Sequence, residues 1–292
     1  MHVHLDGSVE PETLLEIDPS LTPEEIAART AYTDFVGFIQ SFVWVNQRLR
    51  TPEDYARVAR RLFEQLQAQG VTYAEVTLSA GVILWKQLPF APIYDALLRE
   101  GARSRVKVLW ILDAVRQFGP EPAKPVFDLA AERVGDGVVA IGLGGDEERG
   151  QALLFKDLYS EARDRGLRLT CHAGEIAGPR SVWEALDIGS ERIGHGIRSI
   201  DDPALVEHLA TKKIPLEICL SSNLRTGAVK SLAEHPVKRL YDAGVPIILN
   251  TDDPAMFDCT LTSEYQLAAR EFGFTEEELA AISENSLRYS FE

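Results

Sequence analysis

The chain has 292 residues, 45% of them hydrophobic and 26% charged, with 45 acidic against 30 basic side chains and a formal charge of −15. That length suits one domain with a large core, and the acidic excess argues against nucleic acid or anionic membrane surfaces as general partners. The three widely spaced cysteines form no CxxC pair, no apolar run reaches the roughly 18 residues of a membrane span, and no signal-peptide layout is present. A cytoplasmic protein without disulfides is expected.

In chain order, Met1-His2-Val3-His4 supplies a first strand, with so little chain ahead of its histidines that a trimmed start is suspected. Residues 10–69 are too long for one strand-to-helix connection. They contain helix starts at Thr22-Pro23-Glu24-Glu25 and Thr51-Pro52-Glu53-Asp54, so several short helices inserted over one end of the fold are expected. The apolar stretch 35–45 reads either as a lid over a ligand or as an amphipathic helix packed on the fold.

From residue 70 onward, short β-branched runs at 71–78, 106–113, 137–143, 167–172, 192–195, 214–220 and 245–250 alternate with helical stretches. Helices are predicted at 151–165, 180–187, 203–210 and 229–243, followed by a pair at 262–272 and 275–287. Eight strands with helical crossovers predict an α/β fold, a (β/α)8 TIM barrel with a helical insertion after strand 1, in one domain over 1–292. Residues 141–146 read IGLGGD, so the dinucleotide fingerprint of an open doubly wound sheet is missing.

Polar groups gather at the carboxyl ends of these strands, where barrel active sites are assembled. On a strand, His2 and His4 point to one face. Strand 5 ends in Cys171-His172-Ala173-Gly174-Glu175, strand 6 in Gly194-His195-Gly196, and strand 8 in Asn250-Thr251-Asp252-Asp253-Pro254. Taken singly, each has an ordinary structural reading, as a core histidine, a capping residue or an Asx turn. Together, His2, His4, His172 and Asp252 form a nitrogen and oxygen set that favours zinc over a sulfur-bound cluster. His208 and His235 stand outside it and read as structural.

HVHLDG (2–7), GGDE (144–147), CHAGE (171–175), GHG (194–196), SSN (221–223) and NTDDP (250–254) together resemble the motifs of the adenosine deaminase family, in order and over nearly the whole chain. The resemblance implies a zinc-dependent (β/α)8 barrel enzyme that replaces the 6-amino group of a purine nucleoside by oxygen and releases ammonia. It implies one Zn(2+) per chain on His2, His4, His172 and Asp252, and Glu175 as proton donor to purine N1. His195 is similar to the residue that orients and deprotonates the attacking water and steadies the developing alkoxide. Asp253 resembles the group bonding N7, Gly145 the backbone contact to N3, and Asp6 a residue reaching a ribose hydroxyl.

The implied partner is a small purine nucleoside, with no nucleic acid, membrane or obligate protein partner. Adenosine comes modestly ahead of 6-amino-6-deoxyfutalosine, the benzoate-bearing nucleoside of menaquinone biosynthesis. Arg48, Arg50 and Arg225 are candidate partners for that carboxylate, each with the ordinary alternative of a surface residue or structural ion-pair partner. Two rivals are a phosphoesterase, which would want bridging ligands for two metals, and a silent nucleoside-binding protein, which would not need the proton-transfer residues.

Overall fold

A computed structural model describes residues 1–292. Eight strands run parallel in sequence order: β1 (Val3–His4), β2 (Tyr73–Leu78), β3 (Lys107–Val115), β4 (Val138–Gly144), β5 (Arg168–Ala173), β6 (Arg192–His195), β7 (Leu216–Ile218) and β8 (Ile247–Leu249). The circle closes just beyond β8. His4 N donates to the carbonyl of Asp252 at 2.8 Å, and Asp252 N donates to the carbonyl of His2 at 3.0 Å. The expected (β/α)8 barrel is therefore present, and its seam is made by residues of the HVH and TDD segments.

The insertion after β1 holds α1 (Pro11–Ile17), α2 (Pro23–Arg29) and α3 (Phe35–Asn46), followed by the long α4 (Pro52–Ala68). The threonines read as helix starts do that work. Thr22 Oγ1 accepts from Glu25 N, and Thr51 forms a capping box with Asp54. The stretch 35–45 forms α3, packed on the fold: Phe38 and Val45 are buried in the core, while Phe35, Ile39, Phe42 and Val43 line the cavity above the barrel.

The remaining helices are α5 (Ala80–Trp85), α6 (Phe90–Arg103), α7 (Pro120–Glu132), α8 (Lys156–Asp164), α9 (Pro179–Asp187), α10 (Pro203–Lys212), α11 (Leu220–Arg225), α12 (Val237–Asp242), α13 (Pro254–Phe257), α14 (Leu261–Phe272) and α15 (Glu276–Arg288). Two expectations need correction. The predicted helix 229–243 is a 3₁₀ turn, Leu232–Glu234, and the separate α12. Pro236 lacks an N–H and forces the residue before it out of helical backbone, and His235 is accordingly extended at φ −66°, ψ 127°. The predicted strand 214–220 shortens to β7 because α11 begins at Leu220. There Glu264 of α14 accepts the N–H groups of Leu220 and Ser221, at 2.7 and 3.2 Å, in place of a strand neighbour.

Beneath the site, the barrel interior carries a buried ionic layer. Arg192 of β6 bonds Glu75 of β2 at 2.5 Å, and its Nε faces Glu217 of β7 at 2.7 Å. The C-terminus caps this layer, with Phe291 stacked 3.5 Å over the guanidinium and the carbonyl of Tyr289 accepting from Arg192. No helix of the protein is long and apolar enough to cross a membrane.

Candidate active site and metal centre

The site is built at the carboxyl ends of the strands from four segments brought together by closure. His2 Nε2, His4 Nε2, His172 Nε2 and Asp252 Oδ1 converge. His4 lies 3.3 Å from His2 and 3.2 Å from His172, and Asp252 lies 3.1 Å from His2 and 3.3 Å from His4. Ligand atoms about 2.0–2.1 Å from one zinc at tetrahedral angles are separated by about 3.3 Å. His195 stands slightly farther out, its Nε2 3.9 Å from Asp252 Oδ2. It also belongs to a wider grouping in which His2, His172, His195 and Asp252 each offer a ligand atom within 4.8 Å of the others.

The chemistry of the donor set fits a cation. Nδ1 of His2 lies 3.1 Å from Glu217 Oε2, a carboxylate that takes the imidazole proton. The Nε2 lone pair then faces the Asp252 carboxylate at 3.1 Å, two acceptors that only a shared positive charge reconciles. The same field acts on protons: burial opposes it, yet the Asp252 and Glu217 carboxylates push the His2 imidazole up to about 10 in the metal-free protein. Burial lowers His4 to about 4, leaving its nitrogen free to ligate. Three histidines and an aspartate, drawn from His2, His4, His172, His195 and Asp252, make a His/His/His/Asp cluster that suits one Zn(2+) per chain.

Asp252 and His195 both hold left-handed backbone, with φ of 61° in each. Such conformations cost non-glycine residues on the order of 1–3 kcal/mol and persist where surrounding bonds over-determine them. At Asp252 the seam bonds to His2 and His4 do so, and Ser222 Oγ adds a 2.7 Å bond to Oδ2.

Glu175 is buried, with Oε1 bonded to Thr226 Oγ1 at 3.2 Å and Oε2 3.7 Å from His195 Nε2. Burial, reinforced by the Asp252 and Glu147 charges, holds its carboxyl well above the usual range. Its loop is fastened by Glu147, whose carboxylate accepts from the N–H groups of Gly174, Glu175 and Ile176 at 2.7, 2.8 and 3.0 Å. The acidic end of the GGDE motif thus shapes the CHAGE loop.

Asp253 is also buried, and burial together with the adjacent Asp252 charge raises its carboxyl well above the usual range. Its Oδ1 has no protein partner. Gly7 is what makes room for it, since a Cβ at residue 7 would fall 1.7 Å from that oxygen. Gly145, at φ +97°, lines the cavity beside Gln117. Asp6 lies below the cavity wall: Oδ2 accepts from Ser79 N at 3.0 Å, and Oδ1 has no partner.

The cavity above the cluster, of about 260 Å³, is walled by α3, by Trp85 at the end of α5 and by Phe118. Trp85 and Phe118 stack with centroids 6.0 Å apart and remain substantially exposed. None of the three candidate arginines lines it. Arg48 packs on Trp44 and pairs with Asp18, Arg50 bonds the carbonyl of Gln47, and Arg225 lies over Tyr32. The lining cation is Lys86, which is spent on the carbonyls of Asn46 and Leu49 at the end of the insertion.

Reading the sequence passed over Glu217, gave Gly7 and Asn223 no role beyond membership of a motif, and left His235 outside the site. Glu217 carries a signal in hindsight, as a lone charge inside an apolar strand that must be paired if buried. His235, read as structural, is buried and bonds Asn223 Oδ1 at 3.1 Å, and Asn223 in turn lies 3.0 Å from His195 Nδ1.

Comparison with known proteins agrees with this geometry. The chain is 38% identical over 305 residues to the aminodeoxyfutalosine deaminase of Streptomyces avermitilis, covering all of this chain and 85% of that protein. It is 36% identical over 311 residues to the adenosine deaminase of Serratia proteamaculans, covering all of this chain and 92% of that protein. Among solved structures, the adenine deaminase of Arthrobacter aurescens superposes with a TM-score of 0.92 at 28% identity, over 100% of this chain and 92% of that one. A Burkholderia ambifaria amidohydrolase with bound Zn gives 0.92 at 27%, over 100% and 84%. The family model for adenosine deaminase matches residues 1–292, and the chain belongs to that family as a zinc-dependent deaminase acting on an aminopurine-type substrate.

Proposed function

We propose that residues 1–292 form one deaminase domain, acting in the cytoplasm on 6-amino-6-deoxyfutalosine in preference to adenosine, and so serving menaquinone biosynthesis. The observation that carries this is the mouth of the cavity. Beyond the metal end, where adenosine would offer only ribose hydroxyls, the wall is apolar and aromatic: Phe35, Phe42, Trp85 and Phe118. An aryl extension of the nucleoside would bury against those rings, and its carboxylate would stay in water at the rim, so that no arginine is required. Two Streptomyces aminodeoxyfutalosine deaminases, at 38% and 37% identity, support the same order. Adenosine, placed first on sequence, becomes the second reading.

His2, His4, His172 and Asp252 would hold the zinc, with Glu217 orienting His2. The chemistry zinc supplies when bound is Lewis acidity, which makes water a nucleophile near neutral pH. The residues do the rest. Protonated Glu175 donates to N1, making C6 more electrophilic, and is placed to pass a proton to departing ammonia. Asp253, whose buried Oδ1 has no protein partner, bonds N7. The backbone of Gly145 meets N3, and Asp6 offers its unpartnered oxygen to the ribose. His195, beside both Glu175 and Asp252, handles the attacking water and the charge that develops on oxygen.

The test is ammonia release from 6-amino-6-deoxyfutalosine and adenosine side by side, on protein of measured zinc content. A larger kcat/KM for the benzoate-bearing nucleoside is expected. A larger value for adenosine would establish the second reading, and no turnover of either by zinc-loaded protein would overturn both.

A further inference from the structure

Nδ1 of His195 is closed off by Asn223, whose Nδ2 lies 3.0 Å away. Oδ1 of the same amide lies 3.1 Å from Nε2 of His235, and Nδ1 of His235 accepts the backbone N–H of Val237 at 3.2 Å. All three side chains are buried, so water does not compete for these bonds. Proton positions along such a chain are dictated by its one member that cannot change role, because a backbone amide always donates. Val237 is the first residue of α12, and its N–H is one of the unpaired donors of a helix's first turn.

Nδ1 of His235 is therefore an acceptor. Burial keeps this imidazole neutral, lowering it to about 3, so its single proton sits on Nε2 and is donated to Asn223 Oδ1. The amide is thereby oriented, and its N–H donates to His195 Nδ1. The reversed amide would set N–H against N–H at His235. A His195 proton on Nδ1 would do the same at the other end, whether in the neutral ring or in an imidazolium.

We propose that Asn223 and His235 are positioning residues that hold His195 as its Nε2–H tautomer, so that His195 meets the reacting centre as a hydrogen-bond donor. This rests on the reading of His195 as a catalytic residue and narrows it. With no lone pair on Nε2, the neutral ring orients water and steadies developing oxygen charge by donating, and the proton of the attacking water passes to the neighbouring Glu175 carboxylate, free once it has given its own proton to N1 and able to hand the new one to departing ammonia. It also separates His195 from His2, His4 and His172 as a ligand, although all four rings crowd one centre.

The tautomer is read directly by long-range proton–nitrogen NMR on ¹⁵N-histidine-labelled protein, with and without zinc, the His195 signals being assigned among the six histidines by substitution. The expected result is a proton on Nε2 and a bare Nδ1; a proton on Nδ1 would overturn the proposal. Asn223→Asp replaces the donor by an acceptor and should draw the His195 proton to Nδ1. It should lower kcat by about 10³- to 10⁴-fold, the scale of a wrong catalytic tautomer, with KM and zinc content little changed. His235→Gln, which keeps a donor towards Asn223, should retain more of kcat than His235→Leu at equal zinc content.

Unchanged NMR signals and kcat in Asn223→Asp, or equal kcat in the two His235 variants, would refute the relay while leaving the deaminase reading intact. A tautomer switch in Asn223→Asp, in a protein that turns over no aminopurine nucleoside, would refute the deaminase reading while leaving the relay.

Discussion

Replacing Gly7 by alanine would put a Cβ 1.7 Å from Asp253 Oδ1, 2.3 Å from its Cγ and 2.4 Å from its Cβ. All three lie far inside van der Waals contact, so the Asp253 side chain has to leave its place. The chain at Gly7 cannot easily retreat, because its carbonyl accepts from Ala255 N at 3.1 Å at the start of α13. Overpacking of this kind costs about 1–3 kcal/mol, or roughly 2–5 °C in Tm for a domain of this size. Loss of a charge-assisted or strongly polarised substrate bond costs about 1.5–3 kcal/mol, equivalent to about 10- to 150-fold in kcat/KM. Gly7→Ala should therefore keep zinc, lose that much kcat/KM for a purine nucleoside, and melt earlier. The partner test is a double-mutant cycle. If Gly7→Ala acts only by displacing Asp253, it should add little further loss of kcat/KM to Asp253→Ala. Wild-type kcat/KM and Tm in Gly7→Ala would show that Asp253 has another place to go and does not grip the substrate where it now lies.

Glu175→Gln should retain zinc and lose about 10²- to 10⁴-fold in kcat, the range for a general acid; zinc lost in proportion to activity would refute that division of labour. Glu217→Gln should weaken zinc about 10- to 100-fold, measured by chelator competition, and His172→Ala should lower occupancy outright. Full zinc retention in His172→Ala would remove it from the ligand set. Asp113 is buried with Oδ1 unpartnered, and burial pushes its carboxyl up to about 7. Since the folded protein holds this proton longer than the unfolded chain, the contribution is complete below the unfolded value of 3.8 and is lost as pH rises through about 7. Urea melts from pH 4 to 8 should show a slope of up to about 1.4 kcal/mol per pH unit that Asp113→Asn removes; an identical slope in the variant would refute the assignment. Finally, Trp85→Ala should cost about 2- to 12-fold in kcat/KM for the benzoate-bearing nucleoside and less for adenosine. Equal losses would remove the aromatic mouth as the basis of selectivity.

The ligand types, their strand-end positions and the order of the barrel strands were legible from residues alone. His2 and His4 share a face by the period of a strand, and His172, His195 and Asp252 each end an apolar run followed by turn residues. Local chemistry also announced the helix starts at Thr22 and Thr51. What stayed hidden depends on contacts between residues far apart in sequence. Glu217 meets His2 across 215 residues, and Asn223 meets His195 across 28. No periodicity or turn rule links such positions: the first pair meets only when the sheet curls and β8 closes on β1, and the second only when β6 pairs with β7. Residue type left Arg48, Arg50 and Arg225 open between carboxylate partners and structural residues, and packing decided for the structural reading by turning them towards Trp44, Gln47 and Tyr32. The sequence by itself determined which chemistry this protein carries, because donor type and strand period are local properties. Only the tertiary structure decided which groups aim and tune that chemistry, because a bond between residues distant in sequence exists only once the strands that carry them have come together.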